Sequence, residues 1–274
     1  MKKAEYTLSV FTKHWKIPIE QLGELISNLS VNAIELPIRP GYQVEPQNAA
    51  RKLPQISKRL SEFGLQITSV AAEPQEDVIA ACGEADIPLL RVLLDVVSPK
   101  NFLANVGQLQ KRLDTLLPLL EKYDVTLGIQ NHSGLSFCHA LSLWHLIHKY
   151  ESEHIRAVWD PAHCALAGET PELAADILWP YLGMVNLKNA YWRKKTETEK
   201  DGAVWDVYWS RGREGLLSWR KVIDELNRHG YQGVICLFAE YSDEDLTQKY
   251  LADDIAYLKS LLKTQNAITG NDAS

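Results

Sequence analysis

The chain reads as an α/β protein folded as a single (β/α)8 barrel, and three observations predict it. Short β-rich apolar runs alternate with longer amphipathic stretches from end to end. About eight such units fit into 274 residues, with no composition shift that would mark a linker. The strands are near-continuous apolar runs, the pattern of a parallel sheet covered on both faces. The open, doubly wound alternative usually carries a glycine-rich phosphate turn, and neither GxGxxG nor GxxxxGK occurs.

In order, a β-rich run at 6–11 precedes a helical pattern with apolar residues at Ile19, Leu22, Leu25, Ile26 and Leu29. The second strand, 33–36, is stopped by Pro37, which cannot donate to a ladder. A helix over 50–63 ends at Gly64, and the third strand follows at 65–70. A short helix over 78–82 leads to the fourth strand, 89–95. The helix over 102–123 sets Leu109, Leu113, Leu116, Leu117 and Leu120 along one stripe. Strand five (125–130), a helix (141–150) and strand six (155–160) come next. Pro161 ends that strand, leaving Asp160 on its last rung and His163 on the loop above. Pro171 opens a helix in its preferred first turn. Strand seven covers 183–188, a helix over 218–228 stops before Gly230, and strand eight covers 233–240. A last helix, 246–262, completes one domain over 1–263, and 264–274 reads as a disordered polar tail.

A net charge of -6 argues against a nucleic-acid surface. No apolar run approaches the ~18 residues of a membrane span, and the first residues lack an apolar signal core, so a cytoplasmic protein without a membrane partner is expected. The four cysteines are scattered and form no CxxC pair, which fits reduced thiols. Cys164 reads as a small buried residue in preference to a nucleophile or ligand.

In such barrels the chemistry gathers where strands meet their following loops. Polar residues stand there at Lys13, His14, Glu35, Glu73, Asp95, Gln130, His132, Asp160, His163, Asn186, Lys188 and Glu240. A carboxylate and an imidazole converging at one strand end, as Asp160 and His163 do, serve metal binding or proton transfer. Arg91 and Asp95 alternate on one face of strand four, where a structural ion pair inside the barrel is the plain alternative to a functional one. Glu35 and Glu73 are equally suited to capping loops and to touching a ligand. The segment 190–215 is long for a βα loop, which typically has ~2–6 residues. Its aromatic and basic ends, including Trp192, Arg193, Trp209 and Arg213, suit a lid that offers cations to an anionic or polyhydroxy ligand. The alternative is a packed excursion or a contact with a second copy of the chain, which keeps a homodimer among the expected partners.

Three stretches carry a family resemblance: Leu127-Gly128-Ile129-Gln130-Asn131-His132, the turn Asp160-Pro161-Ala162-His163, and Val185-Asn186-Leu187-Lys188. With the later Arg213-Glu214-Gly215 turn and Ser218-Trp219, their order resembles the sugar isomerase/epimerase family. These are xylose isomerase-like TIM barrels, in a superfamily that also holds the family-2 AP endonucleases. The resemblance runs nearly end to end.

The resemblance implies a divalent cation held by a glutamate of strand five, an aspartate of strand six, a histidine of strand seven and a glutamate of strand eight. The two glutamates would exchange a proton between adjacent carbons through an enediol. Asp160 matches the aspartate and His163 the substrate-side histidine of the same turn. Gln130 stands for the first glutamate, Asn186 for the histidine, and Phe238 at the register of the last glutamate. Glu240 lies two residues further, on the same face of the strand. Metal ligands would then come from Asp160, Gln130, Asn186 and Glu240, a set suited at most to weak magnesium or manganese binding, or to none. Glutamine cannot take a proton from carbon, so proton transfer falls to Glu240, His163 and Lys188, the last stabilising an enolate. His132, Gln130, Glu73, Trp192, Arg193 and Arg213 are the expected substrate contacts.

The reading is a divergent isomerase or epimerase of a small polyhydroxy or keto compound, a sugar or sugar phosphate. The alternative is a non-catalytic barrel that binds a sugar-like ligand or a partner at the same mouth. An AP endonuclease would need several metals and a basic DNA surface, which this ligand set and charge do not provide.

Overall fold

The computed structural model describes residues 6–95, 100–134, 136–199 and 202–271. Eight parallel strands close on themselves as the sequence predicts. They are β1 (Thr7–Phe11), β2 (Ala33–Pro37), β3 (Gln66–Ala71), β4 (Leu89–Val92), β5 (Thr126–Gln130), β6 (Ile155–Trp159) and β7 (Leu182–Leu187), with β10 (Val234–Phe238) returning to pair with β1. Between β7 and β10 an antiparallel pair, β8 (Asn189–Glu199) and β9 (Gly202–Ser210), stands apart from the barrel sheet. The excursion expected as a loop over 190–215 is therefore mostly a hairpin.

Helices wrap the outside: α1 (Ile19–Ser27), α2 (Ala49–Ser61), α3 (Glu76–Glu84), α4 (Phe102–Tyr123), α5 (Ala140–Ile147), α6 (Pro161–Leu166), α7 (Pro171–Leu178), α8 (Trp219–Arg228) and α9 (Thr247–Asn271). Each turns one stripe inward. In α8 the buried residues are Trp219, Val222, Ile223 and Leu226, the i, i+3, i+4, i+7 spacing of an amphipathic helix. Each such side chain, fully buried, stabilises the fold by about 1.5–3 kcal/mol. The last helix extends the expected 246–262 element through 264–271, and 272–274 of the segment read as a polar tail lie outside the described residues. Among the described residues no helix is long and apolar enough to cross a membrane.

The period of two divides each strand between two cores. Val185, Leu187, Ile235 and Leu237 belong to the large outer core that packs under the helices. Phe11, Ala71, Leu89, Val158, Met184, Cys236 and Phe238 fill the barrel interior. Gly128 marks how tight that interior is, because a Cβ there would lie 2.6 Å from the Val158 side chain and 3.0 Å from Leu89. The lumen is thus a plugged core, and the buried charged side chains Glu35, Arg91, Asp160 and Lys188 gather at its C-terminal end.

Several strands end earlier than expected, and the difference shapes the site. β4 stops at Val92, β6 at Trp159 and β10 at Phe238. Asp160 is not the last rung of a strand but the N-cap of α6, its carboxylate accepting from the backbone N–H groups of Ala162 and His163. His163 accordingly sits in the first turn of a helix and not on a loop.

Candidate functional site

Two polar clusters occupy the C-terminal end of the lumen. The first centres on Arg91, whose Nε and Nη2 donate to the two Glu35 oxygens at 2.7 and 2.9 Å. Ser69 adds a hydroxyl to Glu35 at 3.2 Å. The guanidinium lies 4.6 Å from the Phe11 ring centre and 5.2 Å from that of Phe238. Both charged residues are buried, so the pair is forked, stacked and closed to water. The partner expected for Arg91 inside the barrel, Asp95, instead lies at an exposed position bridging to Ser136, because β4 ends three residues before it.

Gln130 joins the two clusters. Its Oε1 accepts from Arg91 Nη1 at 2.5 Å, which turns its Nε2 to donate to Asp160 Oδ2 at 2.9 Å. Arginine has no acceptor, so this contact fixes which way the amide faces. Asn131 secures Asp160 from behind: its Oδ1 accepts from the Asp160 N–H at 2.6 Å, and its Nδ2 donates to the Asp160 carbonyl at 2.9 Å. Burial pushes the Asp160 carboxyl upward from its ordinary value, while the Lys188 charge pulls against that rise.

The second cluster is built around Lys188, just past the end of β7. Its Nζ donates to Glu240 Oε2 at 2.9 Å and lies 3.6 Å from Asp160 Oδ2. The Trp209 ring covers the ammonium with its centre at 4.1 Å, and Phe238 lies at 5.0 Å. Trp209 is the hairpin's contribution, fixed at the end of β9 by paired bonds between its backbone and Ser242. The loop behind it is held by Asn189, whose amide bonds the backbone of Gly212 and Leu217. Gly215 is required there, since a Cβ would come within 2.0 Å of Asn189 Oδ1.

His163 lies beneath Trp209, edge to face at 5.3 Å, and packs against His132 with ring centres 3.9 Å apart. His163 is fully buried, neither ring nitrogen has a hydrogen-bond partner, and Nε2 is 3.7 Å from Asp160 Oδ2. Burial first, then the charges of Lys188 and His132, drives its pKa far below the ordinary value and keeps the imidazole neutral. Asn186, one rung below Lys188 on the lumen face, is also buried with both amide atoms unpartnered. For Glu240, burial raises the carboxyl, but the Lys188 charge and hydrogen bond and the Lys13 charge together bring it below its usual value. Glu240 is ionised at neutral pH, and its side chain keeps 36% of its surface exposed. It opens onto a cavity of about 310 Å³ whose rim includes Lys13, His14, Lys16, Tyr42 and Glu244.

Of the residues expected at the site, Asp160, His163, His132, Gln130, Asn186, Lys188 and Glu240 come together. Four others do not. Glu73 is exposed and pairs with Arg112 on α4 at 3.2 Å. Trp192 is 45% exposed and donates its indole N–H to the Leu166 carbonyl at the end of α6. Arg193 stacks on Tyr208 and Arg213 on Tyr257, each on a surface away from the lumen. By the pairing register Trp192 lies on the same face of the hairpin as Trp209 but farther from its base, so only Trp209, beside the end of β7, reaches Lys188. Cys164 is buried with its thiol pushed well up by burial, the inert case. From the sequence, Trp209 is expected only as one of several lid aromatics and Arg91 is paired with Asp95 instead of Glu35, while Asn131 goes unassigned although it stands beside Gln130 in the most informative strand end.

The family model described as a xylose isomerase-like TIM barrel matches residues 24–261, and the chain belongs to that family. No curated protein matches it. Among solved structures, it resembles a xylose isomerase domain protein from Planctomyces limnophilus with 16% identity and a TM-score of 0.74, over 96% of this chain and 98% of that one. It resembles D-psicose 3-epimerase from Clostridium cellulolyticum H10 with 10% identity and a TM-score of 0.70, over 93% and 99%. A xylose isomerase-like TIM barrel protein from Mycobacterium smegmatis in complex with magnesium aligns with 12% identity and a TM-score of 0.69, over 96% and 99%. At these identities the likeness is one of fold.

A divalent ion, which the family resemblance implies, does not fit the side chains present. Gln130 turns its oxygen to Arg91 and offers an N–H to Asp160, so it cannot ligate. The space between Asp160 and Glu240 holds the Lys188 ammonium, and a second cation there would meet like charge at close range. Among the described residues no three His, Cys, Asp or Glu side chains converge as ligands.

Proposed function

We propose that this barrel is an isomerase or epimerase-like enzyme that moves a proton at the carbon beside a carbonyl of a small polyhydroxy compound, a sugar or sugar phosphate. The observation that carries this reading is the Lys188–Glu240 pair at 2.9 Å under Trp209, at the open end of an otherwise plugged lumen. Glu240 is the ionised carboxylate that faces the cavity, so it takes the proton from carbon. Electrons move onto the carbonyl oxygen, where the Lys188 ammonium meets the developing charge, with the neutral His163 imidazole packed behind it. The unpartnered Asn186 amide provides a further polar contact for a substrate oxygen. Protonated Glu240 then returns the proton to the neighbouring carbon while the hydroxyl of the first carbon passes its own proton to the former carbonyl oxygen, which completes an isomerisation on one face. Asp160 is committed to Gln130 and to the α6 N-terminus and holds Lys188 in place.

The test is deuterium incorporation from D2O into a panel of ketoses, aldoses and their phosphates, followed by NMR. Exchange at the carbon beside the carbonyl, lost in Glu240→Gln, is the expected result. Binding without exchange across the panel would favour the second reading, a sugar-binding barrel that does no chemistry. That reading draws on Gln130, which locks an amide where a second acid/base group would stand.

A further inference from the structure

We infer that the Lys188 ammonium is the resident cation of this site, and that it covers a divalent-cation position formed by Asp160, Glu240 and Asn186. The inference concerns the same pocket but stands whether that pocket catalyses or only binds.

The geometry is that of a coordinated ion. Nζ has one carboxylate oxygen at 2.9 Å and another at 3.6 Å, from Glu240 and Asp160. Below it, Asn186 is buried with an unpartnered amide oxygen. The Trp209 ring lies against the ammonium with its centre at 4.1 Å. Two carboxylates this close repel each other in a buried setting unless a cation lies between them. A lysine does so without leaving, because the backbone beyond β7 carries it. The ammonium holds three N–H donors. One is spent on Glu240 and one points toward Asp160, so a single donor remains for a ligand oxygen. A metal ion would chelate two neighbouring oxygens, whereas this cation holds one. The ligand class that follows has one carbonyl or oxyanion oxygen at Lys188, with a separate polar group for Asn186.

The experiment is a Mn(II) titration of the full chain after chelator treatment, read by the electron paramagnetic resonance of free ion and by thermal shift. Wild type, Lys188→Ala and the double variant Lys188→Ala/Asp160→Ala are compared. The wild type is expected to bind no stoichiometric Mn(II) and to show no thermal shift. Lys188→Ala is expected to gain one equivalent, bound at least about tenfold more tightly than any binding to wild type, and the double variant to lose it. Stoichiometric Mn(II) in the wild type would overturn the inference, as would a folded Lys188→Ala that gains none. The wild-type arm needs no variant to fold. Neither readout uses turnover, so a chain inactive on every sugar still tests the inference separately from the proposed reaction.

Discussion

Two cation–carboxylate clusters share the end of one lumen, and they are built for opposite purposes. Arg91 and Glu35, on the β2–β4 side, are buried and forked, with the guanidinium set against two phenylalanine rings. Lys188 and Glu240, on the β7–β10 side, meet through one hydrogen bond, and Glu240 is open to the cavity. A planar guanidinium that satisfies both oxygens of its partner leaves nothing for a ligand. A point-charge ammonium with spare donors, beside a carboxylate with spare lone pairs, leaves both available. Gln130 lies between them and lets the closed pair orient the open one.

The largest expected effect comes from disabling the open pair. Glu240→Gln should slow carbon–deuterium exchange by about 10²–10⁴-fold with unchanged thermal stability, measured by NMR in D2O. An equal loss from Glu35→Gln would erase the distinction between the clusters.

Next comes the closed pair. Glu35→Gln or Arg91→Met should each destabilise the fold by about 3–5 kcal/mol, since each strands a buried charge. The double replacement Arg91→Met/Glu35→Leu should recover most of that loss. Urea denaturation of the three variants checks it, and single losses within about 1 kcal/mol would show that water reaches the pair.

A third buried carboxylate, Asp254 on α9, is bonded by neutral groups, with only the Arg211 charge acting on it from farther off, and it sharpens the contrast. Burial raises its pKa from 3.8 to about 6, against hydrogen bonds from the Gly212 N–H and the Tyr241 hydroxyl. The native state therefore binds more protons than the unfolded chain between those values, and stability falls as pH rises through the window. The loss should be at most roughly 3 kcal/mol. Denaturation at pH 4 and pH 7 should show that slope in the wild type and a flatter one in Asp254→Asn.

The smallest effect separates the hairpin's base from its outer part. Trp209→Ala should weaken ligand binding by about 1–2 kcal/mol through the lost cover on Lys188, as isothermal titration would show. Trp205→Ala, farther out along the same strand and 55% exposed, should stay within about 0.5 kcal/mol. Equal losses would mean that the hairpin acts as a whole and not through one ring.

Much of the site was legible in local order along the chain. Pro161 forces a strand to end at the residue before or near it, so Asp160 and His163 had to converge on the barrel mouth. The period of two put Lys188 beside Asn186 on one face of strand seven, and the same rule carried Glu240 past Phe238. Helix stripes such as Leu113, Leu116 and Leu120 needed only the 3.6-residue repeat to show their inward side.

What the chain order could not contain is which polar residue meets which. Arg91 is 56 residues from Glu35 and only four from Asp95, yet it pairs with the distant one, because closing the barrel brings β2 and β4 across the same lumen. Trp192 and Trp209 both read as lid aromatics, and only the twist and register of the hairpin decide that Trp209 covers Lys188. The amide of Gln130 has no preferred direction in sequence, and it acquires one only when a guanidinium stands on one side and a carboxylate on the other. Periodicity and punctuation are local and act on neighbouring residues, so the sequence alone determined the barrel and the strand ends that carry polar residues to its mouth. Ion pairing and solvent access depend on distances across the fold, so only the tertiary structure decided which cluster is closed and which is open.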